Sequence, residues 1–162
     1  MTTTMTTMHS GGCQCGAVRY RGSDFGRSSI CHCRMCQKAF GSPFALLVTV
    51  RDLEWTRGEP KRYRSSNKVE RGFCADCGTP LTYEYGGPTE IAVCTFDDPS
   101  VAPPTIQVNP ESKQPFFDGL CSLPTRAEGA EPAQDAFKAS IVNYQHPDRD
   151  TAAWPHATKG GR

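Results

Sequence analysis

Nine cysteines stand among the 162 residues, and seven of them fall in three tight clusters. Cys13 and Cys15 form CQC, Cys31, Cys33 and Cys36 form CHCRMC, and Cys74 and Cys77 form CADCG, while Cys94 and Cys121 stand alone. A disulfide joins partners separated by a loop, whereas a tetrahedral metal site takes ligands in close pairs that bite the ion together. The odd count argues against a fully paired secreted scaffold, and the opening stretch MTTTMTTMHSGG has neither the basic nor the apolar region of a secretory signal. The expectation is a reduced, cytoplasmic protein whose clustered thiols bind metal. Zinc is the default ion, because thiolate is a soft ligand and a d¹⁰ ion accepts any near-tetrahedral arrangement. Two alternatives stay open at this point. Four thiolates also hold an iron–sulfur cluster, and Cys33 with Cys36 has the spacing of a redox dithiol, although the βαβ context of such sites is missing.

Seven thiols do not make two four-ligand sites. The pairs Cys13/Cys15 and Cys74/Cys77 bracket the strand region and can close one structural tetrahedron, leaving Cys31, Cys33 and Cys36 as three ligands with a vacancy for water or a substrate thiol. The competing reading is a closed second site completed by Cys94, Cys121 or a histidine, which makes the chain a non-catalytic zinc module for a protein or nucleic-acid partner. As the middle residue of a tight CxC turn, His32 is expected to point away from the ion, toward other protein groups or solvent. His9, His146 and His156 are expected to be solvated in tails or loops, and Cys94 and Cys121 to be small hydrophobes.

Zinc coordination deprotonates a thiol that is mostly protonated at neutral pH, and three thiolate ligands leave the ion a weak Lewis acid. Thiol addition to a small carbonyl, or its reversal, therefore fits the triplet better than hydrolysis does. A substrate thiol bearing carboxylates calls for cations: Arg34 and Lys38, four apart on one face of a short helix, and Arg71 are the candidate substrate-binding residues, with Arg64 and Lys68 further choices. Phe40 and Phe44 are candidate pocket walls or core.

These residues must be positioned by strands. PFALLVTV, DLEWTRG, KRYRSS, KVERGF, LTYEYGG and EIAVCTF follow in quick order, rich in β-branched and aromatic residues and bounded by Gly, Pro, Asp or Ser. AVRYR adds a strand after the first clip, GSDFGRSS reads as turn, and Arg34 to Phe40 reads as one or two helical turns stopped by Gly41. A short strand at Thr105 to Val108 lies in a proline-rich arm with Phe116, Phe117 and Leu120 as anchors, and AQDAFKASIV is weakly helical. The domain division is 1–11 disordered lead-in, 12–126 zinc-binding domain and 127–162 weakly structured extension. With 18 basic against 17 acidic residues, no field is available to hold nucleic acid, and no run is apolar enough for a membrane span.

GGCQCGAVRY, CHCRMCQKAFGSPF and ERGFCADCGTPLTY together resemble the glutathione-dependent formaldehyde-activating enzyme family, which also includes the centromere protein V domain. The resemblance runs from about Gly12 to Tyr85. It implies a small, mainly β fold of short antiparallel sheets pinned by zinc, of the β-tent type. It also implies two Zn²⁺ per chain, the structural one on Cys13, Cys15, Cys74 and Cys77 and the second on Cys31, Cys33 and Cys36. Glutathione is the implied co-substrate, formaldehyde the implied carbonyl, and carbon–sulfur lyase the implied class; oligomeric state is left open.

Overall fold

Short runs of alternating polarity make strands rather than helices, because a period of two puts one set of side chains on a buried face. The computed structural model, which describes residues 7–154, is mainly β in keeping with that reading. Strands β1 (His9–Gly12), β2 (Arg19–Gly22) and β5 (Glu54–Arg57) form a three-stranded antiparallel sheet in the order β1-β2-β5. The larger sheet holds β3 (Phe25–Cys31), β4 (Ala45–Val50), β6 (Lys61–Arg64), β7 (Glu70–Phe73), β8 (Pro80–Glu84), β9 (Thr89–Ala92) and β10 (Ile106–Val108). Its order is β10-β3-β4-β9-β8-β7-β6, antiparallel except where β10 runs parallel to β3. Helix α1 (Arg34–Phe40) ends at Gly41, whose φ of 58° supplies the left-handed cap. Helix α2 (Pro132–Ser140) contains no buried residue.

The core lies between the sheets. Tyr20 is fully buried, edge-on to Trp55 and Phe96 at 5.9 and 5.3 Å, and its hydroxyl hydrogen-bonds Thr95 Oγ1 at 2.8 Å. Val48, Val50, Leu81, Ile91 and Val93 complete it together with Cys13, Cys15 and Cys74. Arg19 is buried beside it and makes a two-pronged ion pair with Asp97 (2.7 and 2.6 Å) while its Nε and Nη2 also reach Asp150.

Two strands depart from expectation. The segment expected to be a lead-in forms β1 from His9, because Gly11 and Gly12 lack the Cβ that would collide with the Tyr20 hydroxyl and the Val18 carbonyl; residues 1–6 lie outside the described residues. The segment read as turn is β3, a strand flanked on both sides. Its serines are buried, Ser28 donating to the Ala102 carbonyl at 2.9 Å, and their low strand propensity is overridden by that burial. Cys94 falls in a 3₁₀ turn (Val93–Thr95) after β9, and Cys121 in another (Phe117–Ser122); both are exposed, not buried hydrophobes.

The chain's last described stretch folds back on the first cysteine loop. His146 N–H donates to the Gln14 carbonyl (2.8 Å), Trp154 Nε1 to the Cys15 carbonyl (2.8 Å), and Arg57 bonds both Gly16 and Thr151 carbonyls. His146, expected in solvent, is 4% exposed and covers Gly16. His9 is half-buried against Phe25, and His156 lies outside the described residues.

Candidate metal centres and their cleft

Two tight loops bring four sulfurs together from the two sheets. Between β1 and β2, Gly16 takes φ +81° and its N–H returns to the Cys13 carbonyl; between β7 and β8, Gly78 takes φ +78° and its N–H returns to the Cys74 carbonyl. These are the positions where a side chain would be strained. The ligand atoms of Cys13, Cys15, Cys74 and Cys77 all lie within 4.8 Å of one another. Sulfurs at about 2.3 Å from a zinc ion stand about 3.8 Å apart in a tetrahedron; Cys13 and Cys15 Sγ are 3.6 Å apart, and Cys15 and Cys74 Sγ 3.8 Å. Four sulfurs at this spacing fit a zinc ion. Burial pushes the Cys15 and Cys74 thiols up, a cost that a cation among them reverses. Against the same burial, hydrogen bonds from Thr79 draw the Cys77 thiol down to about 6.

The second cluster stands where β3 ends and α1 begins. Cys31 closes β3, Cys33 caps α1 by accepting the Cys36 N–H at 3.4 Å, and Cys36 sits in the first turn. Their three sulfurs lie within 4.8 Å of one another, and among the described residues no other Cys, His, Asp or Glu ligand atom joins them at that range. The donor set fits a zinc ion with one position left open. Hydrogen bonding from Cys31 and the Arg71 guanidinium outweigh burial to bring the Cys36 thiol down to about 5, and the Cys31 thiol is pushed up in return.

Strand register builds the wall that faces this cluster. Cross-strand partners share a face, and the pairs Thr49–Glu90, Glu90–Tyr83 and Tyr83–Arg71 make one row across β4, β9, β8 and β7. A second row, Ser29–Leu47–Ala92, runs beside it, and Cys31 follows Ser29 on the same face of β3. Cys31, Cys33, Cys36, Arg71, Tyr83 and Glu90 thus line one cleft of about 600 Å³, together with Arg27, Lys68 and Asn109 at other points of its wall. Arg71 is 3% exposed; its Nη2 lies 3.4 Å from Cys36 Sγ, its Nε donates to Ser65 Oγ (3.1 Å), and its guanidinium covers the Tyr83 ring at 4.9 Å.

Of the three cations expected to meet substrate, Arg71 lines this cleft. Arg34 and Lys38 do not: both are exposed on α1 and border an adjoining depression with Tyr63, Arg64 and one side of Arg71. Arg27 and Lys68 are the further cations of the cleft wall. His32 is fully buried, pointing away from the sulfurs, with Nε2 on Gln107 Oε1 (2.8 Å) and its ring edge-on to Phe117 (4.6 Å). Phe44 joins that aromatic group, Phe40 packs beneath Cys36, and Phe116 is exposed rather than an anchor. Sequence reasoning missed Arg27, Tyr83 and Glu90; the available signal was Glu90 itself, an acid leading directly into the apolar run Ile91–Val93.

Comparison with known proteins identifies the family. The family model for the glutathione-dependent formaldehyde-activating enzyme matches residues 8–112. An uncharacterized lyase of Schizosaccharomyces pombe is 32% identical over 79 residues, which is 48% of this chain and 58% of that protein, so the match spans little more than half of the relative's length. A crystal structure of a Rhodobacter sphaeroides protein has a TM-score of 0.48 at 20% identity, over 61% of this chain and 99% of that one. With the family model covering well over half of its residues, including all seven clustered cysteines, the chain belongs to the glutathione-dependent formaldehyde-activating enzyme family.

Proposed function

We propose that the chain is a zinc-dependent carbon–sulfur lyase that joins a thiol such as glutathione to formaldehyde or a related small carbonyl, or runs the reverse, at Cys31, Cys33 and Cys36. The observation that carries this reading is the three-sulfur cluster facing an open cleft of about 600 Å³ with no fourth protein ligand within 4.8 Å among the described residues. With zinc bound by these cysteines, a thiol entering the fourth position loses its proton at neutral pH and becomes a positioned nucleophile.

The protein's own groups then bind and orient. Arg71 offsets the thiolate charge at Cys36. Arg27 and Lys68 meet the substrate's carboxylates, and Leu47, Val69 and Val108 supply apolar wall. Arg34 and Lys38 serve only a substrate that extends past Arg71 into the adjoining depression. A second zinc on Cys13, Cys15, Cys74 and Cys77 is structural, tying the small sheet to the β7–β8 hairpin and lending its binding free energy to the fold. NMR exchange spectroscopy on glutathione plus formaldehyde tests the activity: the zinc-loaded protein accelerates exchange between free glutathione and its hydroxymethyl adduct, and an exchange rate equal to the spontaneous one refutes it.

A further inference from the structure

Glu90 occupies a place that folding does not explain. It is 7% exposed on a sheet face it shares with Leu47, Thr49 and Ala92 and with the polar Ser29, Tyr83 and Arg71, and it lines the cleft that holds the three-cysteine cluster. Its carboxylate makes no hydrogen bond to any described residue. The one ion pair, to Arg27 Nη2, is 3.6 Å long, beyond the ~2.7–2.9 Å of a charge-assisted hydrogen bond. A largely buried carboxylate that no protein group hydrogen-bonds costs stability, and such a group lining a cleft is a candidate for function. The groups facing it are Arg27 on β3, Tyr83 and Tyr85 from the β8 side, Arg71 on β7, Lys68, and the thiols of Cys31, Cys33 and Cys36. Arg71 contacts Cys36, Ser65 and Tyr83 through Nη2, Nε and its guanidinium face and keeps Nη1 buried without a partner, but it and the other cations are poor proton acceptors. Glu90 is the carboxylate of the cleft.

We propose that Glu90 is the acid–base residue of the cleft, taking the proton of the incoming thiol and returning it to the carbonyl oxygen as the carbon–sulfur bond forms. This rests on the thiol–carbonyl reading above. The thiol S–H bond breaks and its proton passes to a Glu90 carboxylate oxygen. A sulfur lone pair forms the new C–S bond, the C=O π pair moves onto oxygen, and that oxygen takes the proton back from Glu90. Carboxylate is regenerated, no proton enters or leaves, and nothing is oxidised or reduced; the reverse reaction uses the same steps backwards. Burial raises the Glu90 carboxyl from its ordinary value, against the pull of Arg27, a direction that suits a group that must hold a proton between two transfers. Arg27, the exposed partner of the pair, favours the ionised form of the emptied carboxylate.

Two measurements on the zinc-loaded full chain test the role. Calorimetry of reduced glutathione binding at pH 7, repeated in buffers of different ionisation enthalpy, counts protons released to solvent. Wild type releases close to none, because Glu90 retains the proton, and Glu90→Gln releases close to one. In exchange spectroscopy with formaldehyde, Glu90→Gln loses at least ~100-fold in rate, and Glu90→Asp, which keeps the carboxylate, recovers part of the loss. Zinc content and melting temperature are measured on each variant, so that a folding defect is recognised, and the wild-type proton count requires no variant at all. Exchange by Glu90→Gln at the wild-type rate, or a full proton released by wild type, overturns the role. If wild type itself gives no acceleration, the thiol–carbonyl reading has failed and Glu90's role falls with it; acceleration by wild type with an unchanged Glu90→Gln sinks the role alone.

Discussion

Replacing Arg71 by methionine removes a charge while keeping most of the volume of its stem, and it separates the two sulfur clusters experimentally. Arg71 Nη2 lies 3.4 Å from Cys36 Sγ in a position 3% exposed to solvent. A unit charge pair at that distance with an effective dielectric near 20 interacts by roughly 5 kcal/mol. That is an upper bound, since losing the guanidinium also removes the cost of burying it. The net effect is that of an outer partner of a metal ligand, about 10–100-fold in metal affinity, or roughly 1.4–2.8 kcal/mol. The assay is stepwise zinc withdrawal by a chromogenic chelator at pH 7. In Arg71→Met, one zinc leaves at a chelator concentration about 10–100-fold lower than in wild type, and the other, held by Cys13, Cys15, Cys74 and Cys77 away from the substitution, leaves as before. Withdrawal profiles identical to wild type refute the electrostatic argument; simultaneous weakening of both ions shows that Arg71 acts on the fold instead.

The chain's terminal segment and the buried Arg19 give further tests. Deleting residues 145–162 strips His146 and Trp154 from the Cys13–Gly16 loop, and the zinc of the four-sulfur site is then lost to chelator several times faster while the triplet's zinc is unaffected; Gly16→Ala, which drives a Cβ into the His146 ring at φ +81°, reproduces the effect with a stability loss of about 1–3 kcal/mol by thermal melting. Arg19→Met leaves Asp97 mostly buried without its cation and costs about 3 kcal/mol in denaturant unfolding. Although burial works the other way, Arg19 and Ser10 hold the Asp97 carboxyl below its ordinary value, so this contribution is complete above the unfolded carboxyl's pKa and is lost as pH falls through the depressed folded one. In Arg19→Met that acid-limb loss of stability shrinks.

Much of the site was legible because spacing alone encodes it. Cys13/Cys15 and Cys74/Cys77 sit in glycine-terminated turns whose geometry depends on two or three neighbouring residues, and α1 announces its end at Gly41. What stayed hidden depends on partners far away in the chain. Strand β3 is written in glycine and serine and becomes a strand because β4 and β10 flank it; β1 exists because Tyr20 and Val18 need the room its glycines leave. Arg27, Tyr83 and Glu90 reach the cleft through register, which local sequence does not specify. Arg34 and Lys38 share a helix face as their spacing requires, but that face turns toward the neighbouring depression. His146 is buried for the same reason, by a loop about 130 residues earlier in the chain.

On the proposed function, a substrate thiol fills a vacant coordination position on the three-cysteine ion. Zinc K-edge X-ray absorption of the two-zinc protein, before and after reduced glutathione is added, measures it directly. Seven sulfurs shared between two ions are expected in the free protein and eight once glutathione is bound, with the added scatterer at about 2.3 Å. Two ions already carrying eight sulfurs without glutathione, or a sulfur count that does not rise on its addition, would contradict it.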